Sequence, residues 1–240
     1  MKRETSNRPV PKDIVFLFDV DNTLLDNDRV IADLGKYLTR EVGSERARRY
    51  WALFEQLRTQ LGYADYLGAL QRYRSEYPHD VSLLAVSRFL IDYPFAKRIF
   101  PDSLDVIEHV NQWGAAVLLT DGDVVFQPRK VHRSGLYEAV GGCALVYAHK
   151  ERELADVEAR YPAVHYVMVD DKLRILAAIK KHWHRRVTTV FVRQGHYARD
   201  SQILAACTAA DLSIARIGAL LKYDLQNFVS RAGRLARGSA

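Results

Sequence analysis

The chain has 240 residues, 48% of them hydrophobic, enough to bury a sizeable core in one large α/β domain or in a core domain with an insert. Its 35 lysines and arginines against 29 acidic residues give a formal net charge of +6 and a pI near 9.3, which attracts anions; the basic residues are nevertheless scattered and follow no zinc-finger, RNA-binding or basic-zipper pattern, so nucleic acid is not the expected partner. No apolar run approaches the length of a membrane span, the start of the chain lacks an apolar signal stretch, and Cys143 and Cys207 do not make a disulfide framework, so a reducing, cytoplasmic setting is expected.

Residues 1–13, with Pro9 and Pro11, read as a loose leader. Ile14–Phe18 is an uninterrupted apolar run, the pattern of a strand buried on both faces, and it delivers Asp19 and Asp21 at its carboxyl end. In an open α/β sheet that end is where ligands bind. Asn22 then reads as a turn residue of positive φ, a conformation asparagine tolerates.

Helical spacing follows at Val30, Ile31, Leu34, Tyr37, Leu38 and Val42, broken by Gly43-Ser44, with Ser44 able to cap a second helix that ends at Gly62. A third helix carries Leu67, Leu70 and Tyr73, and a fourth starts near Asp80, so residues 27–96 are expected to be helical throughout. From Phe100 strands and helices alternate. Asp102 caps a helix that reaches about Gln112, and the strand Ala115–Leu119 delivers Thr120 and Asp121. A helix spans Gln127–Ser134, the strand Cys143–Tyr147 leads to Lys150, and a helix covers Glu151–Arg160. The strand Val164–Val169 delivers Asp170 and Asp171, a helix covers Lys172–His182, a strand Val187–Val192, and a last short strand and helix lie in Asp211–Leu221. This alternation predicts a Rossmann-like parallel sheet with helices on both faces. The tail Asn227–Ala240 is expected to be mobile.

The stretch Asp19-Val-Asp21-Asn-Thr23 resembles the first motif of the haloacid dehalogenase superfamily, Asp-x-Asp-x-Thr. Thr120 with its flanking residues resembles the second motif, Lys150 the third, and Asp170-Asp171 the fourth. The resemblance implies a core of residues 1–26 and 97–240, with residues 27–96 as an all-α cap hinged at Asp26–Asp28 and Tyr93–Phe100. It implies a phosphatase acting on a small phosphorylated metabolite, with Asp19 as nucleophile and Asp21 as general acid and base. Thr120, Asp121 and Lys150 would attend the phosphoryl group, and the resemblance places Mg2+ on Asp19 and Asp171 with the backbone carbonyl of Asp21. Asp170 replaces the usual glycine and is expected to support Lys150, while Arg174 stands where a further aspartate is common.

The charge pattern agrees, because four carboxylates and a phosphate dianion in one cleft need a divalent cation and a lysine. Lys150 has two competitors. Lys130 lies within a predicted helix, where a lysine usually faces solvent, and Lys172 begins one, with its side chain expected to point away from the cleft. The arginines and tyrosines of the helical insert, Arg46, Arg48, Arg49, Tyr50, Arg58, Tyr63, Tyr66, Arg72, Tyr73 and Arg74, are candidates for substrate contact, with a solvated face for the arginines and packing between helices for the tyrosines favoured for any one of them. His182, His184 and His196 lack the spacing of a zinc site. A phosphomutase, a dehalogenase of the same fold and a non-catalytic binding module are the other readings. The second aspartate, Asp21, disfavours the dehalogenase.

Overall fold

A computed structural model describes residues 12–225 and 227–229. Six strands, β1 (Lys12–Phe18), β2 (Ala115–Asp121), β3 (Ala144–Tyr147), β4 (Ala163–Asp170), β5 (Val187–Val192) and β6 (Leu212–Ile214), form one sheet in the order β3-β2-β1-β4-β5-β6. Every pairing is parallel. The α-helices are α1 (Asn27–Leu61), α2 (Tyr66–Glu76), α3 (Leu83–Asp92), α4 (Ser103–Asn111), α5 (Phe126–Ser134), α6 (Leu136–Ala139), α7 (Leu154–Arg160), α8 (Leu173–Trp183) and α9 (Ser201–Ala206).

The period-2 alternation of strand side chains sorts the core into two layers. Phe16, Phe18, Leu118 and Val167 pack on one face with Val106, Val110 and Val131 from α4 and α5. Val15, Leu17, Val117 and Met168 pack on the other with Val157, Ile175 and Ile179 from α7 and α8. Helices on both faces are thus what the continuous apolar strands predict. From β1 the chain proceeds outward through β2 to β3 and returns to the other side of β1 with β4. The carboxyl ends of β1 and β4 therefore flank the point where strand order reverses, the place where such sheets bind ligands.

Between β1 and α4 the chain makes helices and no named strand. Asp26 caps α1 by accepting the Arg29 N–H at 2.9 Å, and Gly62 closes it with φ of 80°. Gly43, with φ 79° and ψ 163°, kinks α1 where the sequence shows a break. The segments entering and leaving these helices run side by side: Asp26 N–H donates to Arg98 O at 2.7 Å and Phe100 N–H to Leu24 O at 2.9 Å. Helix α5 grips the far end, with Arg129 donating to Ile91 O and Asp92 and Arg133 to Asp92 O.

Some expectations need correction. Asp102 precedes α4 with φ of 67° but makes no side-chain capping bond. The α-helix expected from Glu151 begins at Leu154, after a 3-10 turn at Lys150–Arg152. Helices α6 and α9 were not foreseen, both being too short to show a periodic face. The tail begins docked: Phe228 is buried against Phe16 and Trp113, and Thr188 donates to its carbonyl at 2.6 Å. Residues 230–240 and the expected leader up to Pro11 lie outside the described residues.

Candidate active site

Asp19 continues β1 by donating its N–H to Val169 O at 2.9 Å, which fixes it beside the end of β4. The chain then turns tightly, with the amides of Leu24 and Leu25 both donating to Val20 O. Asn22 takes the left-handed conformation the sequence suggests, φ 62°. Behind it Gly195, φ 69°, closes the loop after β5; a Cβ there would lie 2.5 Å from Asn22 Cβ, so only glycine lets the two loops meet. Thr23 Oγ1 donates to Asp19 Oδ2 at 3.2 Å and helps orient the carboxylate.

Lys150 follows β3 as expected and is fully buried. Its N–H donates to Asp121 Oδ1 at 2.7 Å, and its Nζ reaches Asp19 Oδ1 at 2.5 Å, Asp170 Oδ2 at 2.7 Å and Leu119 O at 3.2 Å. Burial alone would lower its pKa; the charges of Asp170, Asp19 and Asp121 outweigh burial and raise it, so the ammonium persists.

Asp170 engages both oxygens, Oδ1 accepting from Lys172 N–H at 2.8 Å and Oδ2 facing Lys150. Asp171 differs. It is 1% exposed, and neither carboxylate oxygen has a hydrogen-bond partner among the described residues. Asp19, Asp170 and Asp171 offer oxygens within 4.8 Å of one another. Burial raises the pKa of Asp170 to about 6, with the Asp19 charge adding and Lys150 opposing. Burial likewise pushes Asp171 well up, against the pull of Lys172. Such orphaned, mutually repelling oxygens suit a hard cation, and an all-oxygen donor set fits magnesium.

Thr120 lies two residues past Leu118, which pairs with Phe18, so it stands on the strand neighbouring Asp19; its Oγ1 accepts from Gln127 Nε2 at 2.9 Å. Gln127 was not singled out in the sequence. Lys130 of α5, weighed against Lys150 and expected to face solvent, is instead 0% exposed. Its Nζ donates to both Asp21 oxygens at 2.7 and 2.8 Å and to Asn27 Oδ1 at 3.0 Å. A usable signal existed, since Phe126, Lys130, Val131 and Ser134 share one helical stripe that is buried. Lys172 also turns inward, against expectation. Its Nζ lies 5.3 Å from the Tyr197 ring centroid, and Asp171, Asp19 and Asp170 raise its pKa over the opposing effect of burial.

Asp21, Asp121 and Lys172 open on a cavity of about 880 Å³ beneath the helical insert. Of the insert's arginines and tyrosines, Arg58, Tyr63 and Tyr66 line it. Arg46 and Arg49 pair with Asp80 and Glu76 on the surface, whereas Tyr50 and Tyr73 are buried in helix packing. His196 meets Asp28 at 2.6 Å. Gly62 approaches the core so closely that a Cβ would lie 2.5 Å from His149 Cε1, next to Lys150.

The comparisons with known proteins agree with this architecture. A profile of haloacid dehalogenase-like hydrolases matches residues 15–182. A crystal structure of a haloacid dehalogenase-like hydrolase from Burkholderia xenovorans LB400, so described by family resemblance, is 60% identical, with a TM-score of 0.86 over 89% of this chain and 100% of that one. More distant neighbours share the fold. The HAD-hydrolase YfnB of Bacillus subtilis, bound to magnesium, is 14% identical with a TM-score of 0.57 over 88% of this chain and 98% of its own. The L-2-haloacid dehalogenase of Xanthobacter autotrophicus with covalently bound chloropropionic acid is 16% identical with a TM-score of 0.56 over 96% and 100%. No curated protein sequence matches. The profile match spans most of the chain, and together with the close relative it establishes that this protein is a member of the haloacid dehalogenase-like hydrolase family.

Proposed function

We propose that the protein is a magnesium-dependent phosphatase that hydrolyses a phosphate monoester through an aspartyl-phosphate on Asp19. The observation that carries this reading is the buried carboxylate of Asp171, without a hydrogen-bond partner among the described residues, beside Asp19 and Asp170: an all-oxygen cluster that suits a divalent cation, which attack on a haloalkyl carbon does not need and approach of a phosphate dianion does. Asp19 and Asp171 would hold the ion, with Asp170 committed to Lys150. Bound there, magnesium supplies charge neutralisation that lets a phosphate dianion approach the carboxylates.

The chain's own groups account for the remaining steps. An Asp19 oxygen attacks phosphorus as the bond to the leaving oxygen breaks, and Asp21 gives that oxygen a proton. Asp21, now a carboxylate, takes a proton from water; the water oxygen attacks phosphorus, releasing phosphate and restoring Asp19. Lys150 stabilises charge on the transferring group, with Thr120 placed to contact its oxygens. Residues 27–96 act as a cap over a core of residues 1–26 and 97–240. Its hinges, Asp26–Asp28 and Tyr93–Phe100, are supported by the two main-chain bonds that tie these segments together.

The test is turnover of p-nitrophenyl phosphate with magnesium and with chelator, alongside a 2-haloacid without metal. The expected result is phosphatase activity that chelator removes. Halide release without metal, in the absence of phosphatase activity, would make the dehalogenase reading the right one.

A further inference from the structure

The walls of the cavity restrict what can be attached to the phosphate. Trp51, Phe54, Tyr63 and Tyr66 from the insert and Tyr197 from the core set five aromatic rings into its lining. Trp51 stands edge-on to Phe54 at 5.4 Å, and Phe54 stacks on Tyr66 at 4.8 Å, so the rings support one another as a wall. The volume of about 880 Å³ is near the upper end of small-molecule pockets, roughly 300–1,000 Å³, and exceeds what a two- or three-carbon leaving group would fill.

The arginines and the histidine around the cavity are already matched by acids. Arg58 pairs with Glu55 at 2.8 Å and donates to the Tyr197 hydroxyl at 3.3 Å. His196 faces Asp28 at 2.6 Å and Arg174 faces Glu151 at 3.6 Å, while Lys172 lies against the Tyr197 ring at 5.3 Å, at the Asp171 end of the cavity. A leaving group with a carboxylate or a second phosphate would meet Asp21, Asp28, Glu55 and Asp121, with Lys172 at the reacting end as the one lining cation outside an ion pair among the described residues. Such a wall rejects a second anion and favours a flat, weakly polar group.

We infer that the substrate is the phosphate monoester of an uncharged, ring-bearing alcohol, an aryl-alkyl alcohol or a nucleoside, whose ring lies against Trp51 and its neighbours. The inference rests on the phosphatase reading for turnover, but the binding preference can be read separately. In the overall reaction, the ester's P–O bond to the alcohol is cleaved by water; the alcohol leaves with a proton, inorganic phosphate is formed, and no redox partner is needed.

The experiment compares kcat/KM in magnesium for benzyl phosphate, uridine 5′-monophosphate, ethyl phosphate and 2-phosphoglycolate, all of which leave through a primary alkyl oxygen. At least one ring-bearing ester should exceed both small esters by about tenfold or more, and which one does so separates the aryl-alkyl from the nucleoside arm. Trp51→Ala should reduce the ratio of the preferred ring ester to ethyl phosphate by about 10- to 100-fold, and Trp51→Phe should keep most of it. Calorimetric binding to Asp19→Asn in magnesium should show the same ranking without turnover. Preference for 2-phosphoglycolate, or an unchanged ratio in a folded Trp51→Ala, overturns the inference. If no ester is turned over, the phosphatase reading fails, and the binding ranking alone upholds or overturns the ring-bearing class.

Discussion

Replacing Lys130 by methionine isolates the contribution of a residue that never touches the reacting phosphorus. Methionine keeps the length and apolar stem of the side chain but removes an ammonium that donates to both Asp21 oxygens and to Asn27 Oδ1, at 2.7, 2.8 and 3.0 Å. Breaking a fully buried pair costs about 3–5 kcal/mol. A surface pair is worth about 0–1 kcal/mol. Here the lysine is buried but the Asp21 side chain is 21% exposed at the cavity and can regain water, which places the loss between these limits, at about 1–3 kcal/mol. For a chain of this size that lowers Tm by about 2–4 °C per kcal/mol.

The kinetic effect should depend on the leaving group. General acid catalysis is worth about 10²–10⁴-fold where the leaving oxygen needs a proton. An Asp21 carboxylate free to rotate should forfeit a large part of that on an alkyl phosphate. With p-nitrophenyl phosphate, whose phenolate departs unaided, kcat/KM should change little, because this constant reports the steps up to loss of the alcohol. Lys181→Met, at an exposed position, is the control. Equal losses on the two esters, in a variant that melts cooperatively, would refute the positioning role of Lys130.

The proposed metal site predicts that magnesium raises the Tm of the wild type and leaves Asp171→Asn unmoved, while in chelator the variant melts at or above the wild type because a buried acid without a hydrogen-bond partner among the described residues is gone. A magnesium-dependent shift retained in Asp171→Asn would remove that residue from the site. Lys150→Ala should lose activity by far more than Lys130→Ala on p-nitrophenyl phosphate, since it leaves Asp19 and Asp170 facing each other unscreened; comparable losses would reverse the assignment. Asp33, whose pKa the Tyr93 hydroxyl and Arg98 lower against burial, contributes stability that is complete above the usual carboxylate pKa of about 4 and disappears as pH falls through its depressed folded value. The Tm advantage of wild type over Asp33→Asn should therefore be level from pH 5 to 7 and shrink below pH 4; a constant advantage down to pH 3 would count against the Asp33–Arg98 pair.

What the sequence made legible follows from which interactions are local. The strand ends carrying Asp19, Thr120 and Asp170-Asp171 stood out because continuous apolar runs announce buried parallel strands, and the place where each run stops marks the ligand edge. The positive φ at Asn22 and the kink at Gly43 were readable for the same reason, as backbone demands met within a residue or two. Lys130 and Lys172 were misread because lysine in or beside a helix is ordinarily solvated, and what reverses that preference is an acid more than a hundred positions away for Lys130, Asp21, and the packing of a neighbouring loop for Lys172. Residues such as Gln127, which acquire a role only through a tertiary partner, left no trace in periodicity or motif. The described start of the tail was misjudged on composition, since a single phenylalanine, Phe228, suffices to dock it.

Helix α5 touches three things at once: Asn27 where the inserted helices begin, Ile91 and Asp92 where they end, and Asp21 between strand and insert. Both ends of the insert are thereby pinned to one helix, and the ammonium that holds Asp21 is the one that holds Asn27. On the proposed cap reading, an outward swing of the insert would draw on the tether of the proposed acid, coupling exposure of the cavity to the placement of Asp21.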